Sequence, residues 1–450
     1  MKNYKIKSEE NKQESGMFKR NAIVLASLIG TAGMIQAAEC AGVVNYYATS
    51  STTCDVSGNN YNYIQGHGAG TVITVAASTT TVNATGSASY ATGVDSGALI
   101  IFEGNLNSTA NGNRISVSVG YPMTGYAQGY AEMKVKGNLT TTSTGNGEAV
   151  YLLNGGKLTV EGNLIATRGN PYVDRDVIRG YGSLTVNGTT TVNSAVSNGI
   201  FTSGINFFDG AATIDISGAD RTGLILVADT QTQFKDNLTV NTTGVNSIAI
   251  LNNSSNNIGT TTVDGTLLVT TTGSSSTGIT NNSGTFSGTG TSNTIKTTGA
   301  NSYGLYATGG AIGLGTTAPT TATGATILLE SGTVTTSGAG AHGVYANNAT
   351  GNITITEGAA GVIKATGPIN PAGTGTIPDG IEVLNNGTGN TTVTTAGAIT
   401  ATGVGINIIN NSAGNTTVTQ TAGTITAGEG ISVLNNSPGV TTINTAGDQL

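Results

Sequence analysis

At 450 residues the chain has room for several ordinary domains or for one elongated repeat domain. Its 68 glycines come with only 7 prolines and with 37% hydrophobic residues, which excludes collagen, polyproline chains and a disordered linker. The net charge is −7 with 9% charged residues, and no basic cluster follows the first 20 residues; nucleic acid is excluded as a partner, because a phosphate backbone calls for clustered Lys and Arg.

The first 20 residues hold six Lys/Arg and three Glu, leaving 11 basic and 21 acidic side chains for the rest. They run into an apolar stretch, Ala22 to Ala38, that ends in small residues. This order predicts an extended signal peptide over 1–38, cut after Ala37 or Ala38. Broken by Gly30, Gly33 and Gln36, the stretch falls short of the ~20 residues a spanning helix needs. In an exported chain the only two cysteines, Cys40 and Cys54, are expected to form a disulfide, contributing roughly 3 kcal/mol in the chain-entropy model. Residues 39–130 read as a Tyr-rich cap and the first turns of the fold, because eight of the 15 tyrosines fall between Tyr46 and Tyr130.

From 131 to 450 the chain repeats itself. "GIEVLNNGTGNTTVTTAGAITATG" from Gly380, "GINIINNSAGNTTVTQTAGTITAGE" from Gly405 and "GISVLNNSPGVTTINTAG" from Gly430 keep a step of 25 residues. More divergent copies of the first phrase stand at 149, 198, 223, 247, 278, 304 and 343, and "GNL"-type phrases at 104, 137, 162, 236 and 265 mark a second recurrent strand. A period of this size marks a solenoid. Within one copy Ile406 and Ile408, then Val418, then Ile425 alternate with Asn and Thr, the two-residue period of a strand with one buried face. Gly, Asn and Ser clusters punctuate three short strands and leave no room for a helix. The expected fold is therefore all-β, a right-handed parallel β-helix with three short strands per turn of about 25 residues. Ile406 should lie between Ile381 and Ile431, and Asn410 and its equivalents should form an amide ladder at a corner.

Little in the chain points to chemistry. "VDSG" at 94–97, with His67 upstream, reads as a turn rather than a nucleophile region, and His67 and His342 are too far apart in sequence to suggest a metal cluster. No cofactor is expected. The one concentration of charge, Tyr172, Asp174, Arg175, Asp176 and Arg179, reads as a surface-loop site on an insertion at 171–181; a second inserted loop is expected at 366–379. On a strand Asp174 and Asp176 would share a face, as acid/base work on a glycan would require.

A long basic leader followed by degenerate Gly/Thr/Asn/Ser repeats with "GIxVLNN" and "GNLTTT" phrases resembles the passenger region of a bacterial autotransporter, over about 40–450. The resemblance implies export to the cell surface through a C-terminal outer-membrane barrel, and adhesion to a host surface protein or glycan or self-association between cells. No barrel-like strands are present and the last copy stops at "TTINTAGDQL", so the expectation is a fragment lacking its translocator. The expected function is a non-enzymatic adhesin or stalk. The alternative is a secreted β-helix polysaccharide hydrolase or lyase using Asp174 and Asp176.

Overall fold

The computed structural model describes residues 45–49, 52–54, 60–84, 90–120, 130–153, 155–170, 175–253, 259–317, 319, 324–348, 351–369, 376–446 and 448–449. The expected signal peptide and Cys40 lie outside the described residues, and so does the expected pairing of Cys54, although Cys54 ends the strand Thr52–Cys54. No helix among the described residues is long and apolar enough to cross a membrane.

Every strand pairing among the described residues is parallel, and the strands stack into three faces of a solenoid. In the copy beginning at Gly405, Val404–Asn410 lies on face one, Thr416–Gln420 on face two and Thr424–Thr426 on face three, after which Glu429–Asn435 returns to face one. Face one is a continuous stack of fifteen strands from Asn45–Ala48 to Glu429–Asn435. At ~4.8 Å per step such a stack is about 70 Å long. Twice a single strand bends across faces two and three, Gly324–Thr336 and Asn352–Ala365, with a register shift between Leu329 and Ser331 where the corner is turned.

Alternation sets the core. Ile381, Ile406 and Ile431 are in register, as are Val393 and Val418, and Ile399 and Ile425. Ile381, Ile406, Val418 and Ile425 are fully buried, each contributing roughly 1.5–3 kcal/mol. All seven divergent copies of the first phrase fall on face one, and the "GNL" strands such as Leu139–Ser143 and Leu164–Arg168 stack on face three. Within 171–181, residues 176–180 differ from expectation. They are not simply an inserted loop, because Asp176–Gly180 is a regular face-one strand between Val150–Leu152 and Asn198–Thr202. Its Val177 and Ile178 point inward, and this apolar pair in "DVIRG" was masked by the surrounding charges.

Three kinds of corner hold the turns in line. Where face three returns to face one, Gly218, Gly244, Gly273, Gly299, Gly338 and Gly367 stack, and a Cβ on each of the last five would lie within 2 Å of the carbonyl oxygen of the glycine one turn below. None of those five has a positive φ, so close approach and not backbone freedom selects glycine. Two residues on, Asp220, Asn246, Ser275 and Asn301 take left-handed φ values of 52–55°, which the polar side chains Asn and Asp tolerate best after glycine.

Asparagine works in two ways. The expected ladder is present but displaced by one residue: Asn411 donates to Asn386 (2.7 Å) and Asn436 to Asn411 (2.8 Å). Asn410 instead braces its own turn, donating to the Gly414 carbonyl and to Thr416 Oγ1 while accepting from the Ser412 N–H. Asn385 does the same one turn below, with Gly389, Thr391 and Gly387. The inner residue of each pair is buried, where every polar group needs its own partner, so the outer one is left to stack. In the "GNL" phrases the Asn side chain accepts the backbone N–H one turn on, Asn105 from Asn138 and Asn138 from Asn163.

One buried acid makes the stack sensitive to pH. Glu357 is 1% exposed and lies in register between Leu329 and Thr395, with no charged partner among the ion pairs of the described residues. Burial pushes its pKa up to about 8, and the neighbouring Gly397 backbone lowers it only in part. The unfolded chain loses this proton near the ordinary value of 4.5, whereas the folded one keeps it to about 8. Stability from this group is therefore complete below pH 4.5 and falls as pH rises through 8, by up to about 5 kcal/mol. Glu357→Gln is expected to flatten that slope in urea midpoints measured from pH 5 to 9. Equal slopes for the two proteins would contradict the assignment.

Candidate functional site

Function on a solenoid sits where side chains leave the stack. On face one the residue two places after the recurrent glycine, or after Ala149, Val177 or Ala249 in its place, points outward, and register joins these into one column: Tyr151, Arg179, Phe201, Ile225, Leu251, Thr280, Tyr306, Tyr345, Glu382 and Asn407. Two stretches of the column gather ionisable and aromatic groups.

The first surrounds the charge cluster singled out in the sequence. Tyr172 and Asp174 lie outside the described residues. Arg175 is exposed and reaches Glu148 Oε1 at 2.9 Å. Asp176 is fully buried, with Oδ2 accepting from Arg179 at 2.7 Å and Oδ1 accepting from Asn198 at 3.0 Å. Burial raises the Asp176 carboxyl, and Arg179 and Asn198 hold it down only in part. Arg179 also lies over the Phe201 ring at 5.2 Å.

Below them sits the fully buried Arg168, whose Nε donates to the Gly147 carbonyl at 3.0 Å and whose Nη1 donates to Ser197 Oγ. Desolvation lowers the Arg168 pKa, and the nearby Glu148 charge works against that. Of the expected surface-loop site, Asp176 is buried and ties turns together, Arg179 is part-exposed and Arg175 is exposed.

The second stretch went unnoticed in the sequence. Tyr303, Tyr306 and Tyr345 stack on one another with centroids 4.9–5.5 Å apart, and Tyr303 also stacks on His342 at 5.8 Å. His342 Nδ1 accepts the Asp379 backbone N–H (3.2 Å), which assigns the proton to Nε2, and lies 3.3 Å from Glu382 Oε2 and 3.8 Å from Asp379 Oδ2. Asp379 is fixed in turn, Oδ1 accepting from the Val404 N–H at 2.8 Å and Oδ2 from Asn407 at 2.9 Å. Burial pushes Glu382 up to about 7, with help from the Asp379 charge, and lowers His342 against the pull of Asp379. Burial also raises all three tyrosines.

A signal for this group exists in the sequence. Tyr303, His342 and Asp379 each precede the recurrent glycine of their copy, and Tyr306, Tyr345 and Glu382 each follow it by two. Aligning copies that are 37 to 39 residues apart, instead of 25, would have placed them side by side.

The "VDSG" phrase is the turn expected: Ser96 and Gly97 both have positive φ, and the Ala98 N–H donates to the Asp95 carbonyl at 3.0 Å. One turn below, His67 is in register with Asp95 and its Nδ1 contacts Asp95 Oδ1. Ser96 Oγ has no hydrogen-bond partner among the described residues, so no serine completes the pair.

Compared with protein-family models, with curated proteins and with solved structures, the chain shows no match.

Proposed function

We propose that the chain is a surface-displayed, non-enzymatic β-helical adhesin or stalk of the autotransporter-passenger kind, exported and held at the outer membrane by a barrel outside this sequence. The observation that carries the reading is the Tyr303, Tyr306 and Tyr345 stack, flanked by Glu382 and Asn407, on the outward side of face one. Tyrosine offers apolar area with a polar tip at small entropic cost, and carboxylate and carboxamide groups beside it supply directional hydrogen bonds. Together these suit the ring edges and hydroxyls of a host-surface glycan, or a polar protein surface. The stacked scaffold supports such use, because each turn fixes the next and holds the column rigid.

Screening the full chain, immobilised, against acidic and neutral glycans and against host-cell surfaces tests the proposal. Saturable binding without turnover is expected. Polysaccharide turnover that Asp174→Ala abolishes would replace it with the hydrolase reading.

A further inference from the structure

The geometry points to a binding site for one divalent first-row transition ion, of the Zn²⁺ type, made by His342, Asp379 and Glu382. The donor atoms of the three side chains all lie within 4.8 Å of one another. Nδ1 of His342 stands 3.3 Å from Glu382 Oε2 and 3.8 Å from Asp379 Oδ2. A point equidistant from atoms so spaced is about 1.9–2.4 Å from each, a range that holds the ~2.0–2.2 Å of Zn–N and Zn–O bonds. Imidazole among the donors favours such an ion over Ca²⁺ or Mg²⁺, which take oxygen ligands in larger number.

A second observation is independent of that triangle. No Lys or Arg among the described residues forms an ion pair with Asp379 or Glu382, whereas Glu148 and Asp176 each have an arginine. Three lone-pair donors therefore converge in a largely buried place with no cationic side chain to balance them; His342 is 4% and Asp379 5% exposed. A bound cation supplies the missing charge. Outer-shell contacts already aim the ligands, Asn407 and the Val404 N–H holding Asp379 and the Tyr303 ring lying against the imidazole. On binding, Nδ1 exchanges the Asp379 N–H for the ion. Because His342 lies in the strand His342–Asn348 and Glu382 in Ile381–Asn385, the ion would fasten two successive turns and the end of the loop between them. Glu382 remains part-exposed, which leaves a way in from the outward face.

The test is titration of the EDTA-treated, untagged full chain with ZnCl₂ by calorimetry, with Co²⁺ absorption as a second readout. One equivalent is expected to bind, with visible Co²⁺ bands showing a nitrogen ligand. His342→Gln and Glu382→Gln should each weaken Zn²⁺ at least tenfold with the far-UV spectrum unchanged, and His67→Gln should leave it as it was. Asn407→Ala, which removes no ligand, should weaken it several-fold and keeps the test open if either ligand variant misfolds. Absence of stoichiometric binding to the unmodified chain would overturn the inference, and so would affinity unchanged by both ligand variants.

Discussion

Replacing Glu148 by alanine is expected to destabilise the turns around it by about 3–5 kcal/mol, among the largest losses any single side chain of this protein can produce. Glu148 is fully buried and its Oε1 sits 2.9 Å from Arg175 and 3.8 Å from Arg179, with the buried Arg168 guanidinium close enough to sense its charge. Without it, the buried Arg168 and the part-buried Arg179 are left with one buried anion, Asp176, while the exposed Arg175 turns to water. The cost comes from the stranded cations and not from the lost contact. Adding Arg168→Met to Glu148→Ala should therefore recover about 2 kcal/mol, since removing both members of a buried charge set costs much less than removing one. Because stacked repeats can open locally, the readout is hydrogen exchange of Val150–Leu152 and Asp176–Gly180 alongside urea melts. A loss below 1 kcal/mol for the single variant would show that the network is solvated and slack.

Gly273→Ala should cost about 3 kcal/mol or more through a different route, overpacking of backbone on backbone. The new Cβ would sit 1.8 Å from the Gly244 carbonyl oxygen and 2.3 Å from its carbon, so adjacent turns would have to separate by more than their hydrogen bonds tolerate. Gly169→Ala is the control, because nothing lies within 4 Å of its Cβ and its φ is not positive; it should be neutral or stabilise by about 0.5 kcal/mol. Thermal melts of the two variants decide the matter. Similar melting for both would mean that glycine was chosen at 273 for chain flexibility and not for space.

Those two sites mark where sequence reading succeeds and where it stops. Ile406 between Ile381 and Ile431 was legible because period and alternation depend only on neighbours in the chain. The amide ladder was legible in kind but not in place: sequence shows two adjacent asparagines, and only burial separates Asn410, which must satisfy itself, from Asn411, which can stack. The strand Asp176–Gly180 was hidden because its charges suggested a loop, while its inward Val177 and Ile178 spoke for the core. His342, Asp379 and Glu382 were missed because the copies carrying them are spaced by 37 residues, and a fixed step of 25 never brings them together. The long insertion lies in the loop, and the stack absorbs it without loss of register.

The proposed adhesive contact is made by the outward tyrosines of face one, Tyr306 and Tyr345, held by the stack. Binding of the full chain to the glycan or cell surface found in the screen, compared with Tyr306→Ser/Tyr345→Ser, tests it most directly, with the melting temperature followed in parallel. At least a tenfold loss of binding at little change in melting is expected. Undiminished binding by the double variant would contradict it.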